Sequence, residues 1–192
     1  MRLHRALSWL KRAEAEDEDL DARYLFLWVT FNAAYAQELV EPLASERERL
    51  TAFLDRLLAV DHGRRIHGLL FETFSGPVRL LVDNHFVFEP FWKALREHDS
   101  SERWKAQFEA SKQAALRAIA GGATGTVLAV VFDRLYTLRN QLVHGGATWN
   151  SSVNRRQLED GNRILLRLLP VLIGLMIDHP ALDHGAINYP VV

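Results

Sequence analysis

The sequence predicts an all-α protein, built as an antiparallel bundle of four to five main helices with additional short ones. Three observations predict it. Apolar residues recur at spacings of three and four along nearly the whole chain, which is the period of a helix with one buried face. Alternation with a period of two is almost absent. Turn formers (Pro42, Gly121-Gly122, Gly145-Gly146 and Pro180) bound the long periodic runs. With 192 residues, 48% hydrophobic and 24% charged, the chain can bury a sizeable core. No internal repeat or long linker divides it, so residues 1–192 are expected to form one domain.

A first helix is expected from Leu3 to Ala13. The acidic run Glu14–Asp21 follows, and its end suits the positive pole of the next helix N-terminus. That helix should run from about Asp21 to Leu39, with Leu25, Trp28, Val29, Asn32 and Tyr35 on its buried stripe and Pro42 as its stop. Ser45 and Glu48 have the spacing of a capping box for a third helix, whose apolar face is Leu50, Phe53, Leu54, Leu57 and Leu58. Residues 61–100 read as short helices and loops, because Gly63, Gly68, Gly76, Pro77 and Pro90 break the apolar pieces; the segment could be an insertion. Ser101–Ile119 reads as a helix closed by Gly121-Gly122. The next helix should start at a Thr124 or Thr126 cap and run to His144, with Val127, Leu128, Val131, Leu135, Leu138 and Leu142 inward. Gly145-Gly146 then supply a left-handed stop. Asn150 or Ser151 should cap the last long helix, which Pro170 is expected to kink and Pro180 to end.

Composition narrows the function classes. There is no cysteine, so a disulfide framework, a thiolate zinc site and a cysteine nucleophile are excluded. The opening residues Met1-Arg-Leu-His-Arg-Ala-Leu7 have no apolar run of the kind a secretory signal needs. The longest apolar stretch, Ile164–Ile177, is broken by Arg167, Pro170 and Gly174. A cytoplasmic protein without membrane association is expected. The formal net charge of −1 gives no whole-chain support for nucleic-acid binding. Its distribution is uneven, however. Residues 1–60 carry eight Lys and Arg against eleven Asp and Glu, whereas residues 134–167 carry six arginines against two acids. The second count is either a basic face for phosphate or a solvated helix surface.

The segment with the most specific chemistry is Arg139-Asn140-Gln141-Leu142-Val143-His144, late on a helix and followed by Gly145-Gly146 and another long helix. It resembles the Arg-X4–6-His signature of the HEPN family, in which a polar residue often follows the Arg. Phe26-Leu-Trp-Val-Thr-Phe-Asn-Ala-Ala-Tyr35 is similar to an early helix of the Apea-like HEPN branch. The resemblance covers roughly residues 20–40 and 125–180. It implies a metal-independent endoribonuclease without cofactors, acting on RNA as a homodimer with both copies of the motif in one cleft. It also implies a role as a toxin or antiviral effector, with a regulatory or antitoxin protein as a further partner, or else a non-catalytic module that binds protein or RNA.

The residue types fit that chemistry. His144 can exchange a proton near neutral pH. Arg139 offers a permanent charge and a planar fork matched to phosphate oxygens. Asn140 can orient the His or a phosphate oxygen. On an ideal helix the five steps from Arg139 to His144 turn by about 500°, leaving the two roughly 140° apart. Convergence would therefore need a distorted helix end or a second subunit. Some HEPN toxins carry a modifiable Tyr two residues after the His. Gly146 stands there, which excludes that modification and counts against an antitoxin of that kind.

Blander readings stand beside these. Arg139 could pair with Asp133 or Glu159, and His144 could cap carbonyls. Arg155 and Arg156 could hold flanking phosphates or be plain surface. Trp149 could stack on a base or pack into the core. Asn32 and Tyr35 could support the site or make structural contacts. His62, His67, Asp83, His85, Glu97, His98 and Asp99 have no tight metal-ligand spacing, so no metal site is expected.

Overall fold

The structure is a computed structural model that describes residues 1–35 and 46–182, with Glu46 described in its backbone alone. All regular structure among the described residues is helical. The chain clusters into two compact units, residues 1–66 with 149–192, and residues 67–148.

In the first unit, α1 (Arg2–Glu14) and α2 (Leu20–Tyr35) form an antiparallel pair, and α9 (Arg155–Asp178) packs along α2 and α1. α3 (Glu46–Val60) lies against α9. Arg2 ties the pair at one end, donating from Nη1 to the Ala34 carbonyl at 3.0 Å. At the other end Asp19 caps α2, its Oδ1 accepting from the backbone N–H groups of Asp21 (2.9 Å) and Ala22 (3.0 Å). The expected stripe on α2 is displaced. Tyr24, Leu27, Phe31 and Ala34 are buried together with Trp28 and Tyr35, while Leu25, Val29 and Asn32 are half-buried. The helix is covered by α1 on one side and α9 on another, so its apolar residues run round most of its girth and no single stripe can be read from them. The expected end at Leu39, the Pro42 stop and the Ser45 cap lie outside the described residues.

The second unit begins within α4 (Arg65–Gly68), which continues through a π-helical turn, 69–73. Then come α5 (Ser75–Val82), a 3-10 turn at His85–Val87, α6 (Glu89–Arg96), α7 (Arg103–Ala120) and α8 (Thr124–Val143). The broken character of residues 61–100 is thus as the glycines and prolines indicate. Pro90 falls in the first turn of α6, where its missing N–H costs nothing. The unit's largest fully buried side chain is a cation. Arg134 of α8 is 0% exposed, with its guanidinium 4.5 Å from the Phe88 ring centroid and 5.7 Å from that of Phe108. It also donates to Ser111 Oγ at 3.2 Å, so it clamps α7 and the turn before α6 to α8.

Two expected caps are corrected. α8 starts after Ala123 without a side-chain cap, because the Thr124 hydroxyl faces His67 Nδ1 at 2.8 Å. α9 starts after Asn154, not at Asn150 or Ser151. Asn150 has φ +55°, outside helical conformation, and the segment before α9 is fastened to the acidic start of α2. The helix runs on past Pro170 to Asp178.

Candidate functional site

The motif occupies the last turn and a half of α8, in the second unit. The inward row Val131, Leu135, Leu138 continues into Gln141, which is buried, whereas the expected inward Leu142 is half-buried. Arg139 and Asn140 are half-buried on the neighbouring faces and His144 is exposed. Arg139 donates from Nη1 to Asn140 Oδ1 at 2.9 Å, and its guanidinium carbon lies 5.8 Å from the Tyr136 ring centroid, one turn back. Asn140 therefore orients the arginine. The Asp133 carboxylate, named as an alternative partner for Arg139, lies by Arg134 at 3.9 Å.

His144 is the residue at which α8 stops. Its φ and ψ are −95° and 11°, and Gly145 follows at φ +67°, a left-handed conformation that glycine adopts without a Cβ penalty. The Gly146 N–H donates to the Gln141 carbonyl at 2.7 Å and the Gly145 N–H to the Leu142 carbonyl at 3.3 Å. This pair of bonds is a Schellman closure. It satisfies the last carbonyls through backbone donors, and among the described residues the His144 imidazole makes no hydrogen bond or ion pair. At Gly146 a Cβ would lie 3.2 Å from the Gln141 carbonyl oxygen, a close approach that also favours glycine.

The Gln141 side chain carries a contact that the motif alone did not reveal. Its Nε2 donates to the Phe86 carbonyl at 2.5 Å, and the same oxygen accepts from Trp92 Nε1 at 2.7 Å. The 3-10 turn His85–Val87 is thereby fixed to the motif helix. The one sequence signal for this was that Gln141 continues an apolar row, where a polar group must find a partner.

The remaining candidates lie in the first unit. Trp149 is 74% exposed, and its indole N–H donates to Asp19 Oδ2 at 2.8 Å. It is therefore not a core residue, and the carboxylate holding it repels phosphate. Asp19 titrates below the ordinary carboxylate range, chiefly because the Ala22 N–H donates to it, with Trp149 and Arg155 adding to the effect. Arg155 is taken up by an ion pair with Asp21 at 2.9 Å and by the Ser151 carbonyl at 3.1 Å. Arg156 is exposed. Tyr35 is buried and stacks on Phe31 with centroids 4.7 Å apart, as part of an aromatic core that includes Phe53. Asn32 is half-buried on the same helix.

The basic stretch 134–167 is accordingly smaller as a surface than as a count, since Arg134 is buried and Arg155 is paired. Among the described residues no group of His, Asp and Glu is placed to hold a metal, and no helix is long and apolar enough to cross a membrane. Compared with models of known families, with curated proteins and with solved structures, the chain matches none.

Proposed function

We propose that this chain is a metal-independent endoribonuclease of the HEPN type. The observation that carries the reading is the end of α8, where an arginine oriented by Asn140 and an exposed histidine are held by one rigid helix stop. In the proposed reaction the RNA 2′-hydroxyl attacks the adjacent phosphorus. The P–O2′ bond forms, the P–O5′ bond breaks, and the products are a 2′,3′-cyclic phosphate and a 5′-hydroxyl. A base takes the 2′ proton and an acid returns one to the 5′-oxygen. His144 serves as one of these, and Arg139 lies on the phosphorane oxygens. The resemblance implies a homodimer with two motifs facing one cleft, and the angular separation of the two residues on α8 supports it. A cytoplasmic toxin or antiviral effector, held by a regulatory or antitoxin protein, is the biological setting the resemblance suggests.

One observation favours a second reading, a non-catalytic module that binds RNA or protein. Within one chain Arg139 is engaged by Asn140 and Tyr136, and among the described residues it makes no contact with His144. The decisive experiment is incubation of total RNA and a tRNA mixture with the purified protein and with His144→Ala, both in EDTA, followed by analysis of the product ends. Cleavage leaving cyclic phosphates, reduced about 10²- to 10⁴-fold in the variant, is the expected result. Equal cleavage by both would remove His144 from the chemistry. No cleavage by a folded dimer would favour the binding module.

A further inference from the structure

The aromatic residues around the 85–87 turn are the largest feature of the second unit that the proposed reaction does not use. Phe86 is 42% exposed although it stands in a cluster of rings. His85 leans against it with centroids 4.1 Å apart, and Phe91 meets it edge-on at 5.5 Å and 90°. The ring is thus braced on two sides while a large part of it stays open. Its backbone is held as firmly, because the Phe86 carbonyl accepts from both Trp92 and Gln141.

Gln141 fixes where this ring stands relative to the motif. Residues three apart share a helix face, so Gln141 and His144 are neighbours on one side of α8. Arg139 is about 200° round the helix from Gln141. The Phe86 turn therefore lies on the His144 side of the motif. An exposed, pre-oriented aromatic beside a residue that handles a ribose-phosphate linkage is suited to the face of a nucleobase. Stacking of that kind recognises unpaired bases, because a paired base presents no free face to a side chain.

We propose that the Phe86 ring is a stacking platform for an unpaired RNA base next to the linkage handled by His144, so that the substrate is single-stranded RNA or a loop. This rests on the ribonuclease reading. It adds an element that acts on the base where Arg139 acts on the phosphate, and that element tolerates any base type.

The test uses the full chain carrying His144→Ala, to prevent cleavage, with two fluorescein-labelled probes: a ten-nucleotide oligoadenylate and an abasic ribose-phosphate decamer. Adding Phe86→Ala should weaken oligoadenylate binding about tenfold or more and leave the abasic decamer unchanged. Phe86→Trp should restore the difference, and Leu95→Ala, which removes an exposed apolar side chain from α6, should not disturb it. Both hydrogen bonds to the turn end on the Phe86 backbone, so the alanine variant keeps them; an unchanged thermal midpoint checks this. Equal loss on both probes, or no loss on either while the parent chain still cleaves RNA, overturns the platform alone. Loss of self-association at unchanged RNA affinity also overturns it, in favour of a protein contact. Binding of neither probe by the His144→Ala chain, with no cleavage by the parent, overturns the ribonuclease reading along with it.

Discussion

Asn140 makes Arg139 a directional group rather than a loose charge. A guanidinium on a long side chain loses conformational freedom when it meets a phosphate, and the 2.9 Å bond to Asn140 fixes part of that geometry in advance. Arg139→Lys keeps the charge but loses the fork, so cleavage should fall roughly 10- to 100-fold, less than for His144→Ala. Single-turnover rates of both variants check the order, and a lysine variant as active as the parent would deny the fork any role. A second prediction concerns Asp19, whose carboxylate caps α2 and holds the indole of Trp149. Its pKa is lowered by folding, so the stabilisation it gives is present above the unfolded value of about 4 and is lost as pH falls through the lower folded value. Asp19→Ala should cost about 1 kcal/mol at pH 7 through loss of the cap. Asp19→Asn should keep much of the cap and reduce the loss of stability on acidification. Urea midpoints at pH 7 and pH 3 measure both effects.

The end of α8 shows why some elements are legible in sequence and others are not. Helix stops written in local backbone chemistry can be read directly, and Gly145-Gly146 is one, since only the φ +67° at Gly145 and the close approach at Gly146 allow the Schellman bonds. Gly145→Ala should therefore destabilise the second unit by on the order of 1 kcal/mol and move His144, lowering cleavage more than the stability loss alone explains. Hydrogen exchange at the Gly146 amide reports the broken closure, and full activity with an exposed amide would sink the claim that this stop positions His144. The start of α9 is a contrasting case. Asn150 and Ser151 have the residue types of a cap, but Asp19 and Asp21, about 130 positions earlier, hold Trp149 and Asn150 in a lead-in of turns and bends and take up Arg155 at the start of α9, and no local pattern encodes that. Gln141 and Phe86 were hidden for the same reason, as their meaning lies in a contact across 55 positions. Arg134 was misjudged as surface because an arginine in a basic run is ordinarily solvated. Only the Phe88 and Phe108 rings closing over it make it core.

Over the whole molecule, charge constrains how RNA can be held. With a net charge of −1 the chain has little long-range attraction for a polyanion. Burial of Arg134 and pairing of Arg155 with Asp21 reduce the basic stretch further. In the second unit the motif offers Arg139 as its fixed cation. Each phosphate neutralised on a single strand contributes about −0.7 to the slope of log K against log salt. One such contact per chain, from Arg139, predicts a slope of roughly −0.7. Affinity would then come mainly from contacts that salt does not screen, and stacking on Phe86 is of that kind. Titration of fluorescein-labelled oligoadenylate with the His144→Ala chain, in which Arg139 keeps its bond to Asn140, between 50 and 200 mM salt measures the slope directly. Adding Phe86→Ala should lower the affinity by the same factor at every salt concentration and leave the slope unchanged, whereas Arg139→Ala should flatten it by about one contact. A slope of −4 or steeper would mean that Arg156, Arg163 and Arg167 form a phosphate-binding face after all, and binding would then be governed by that surface rather than by the motif and its neighbouring ring.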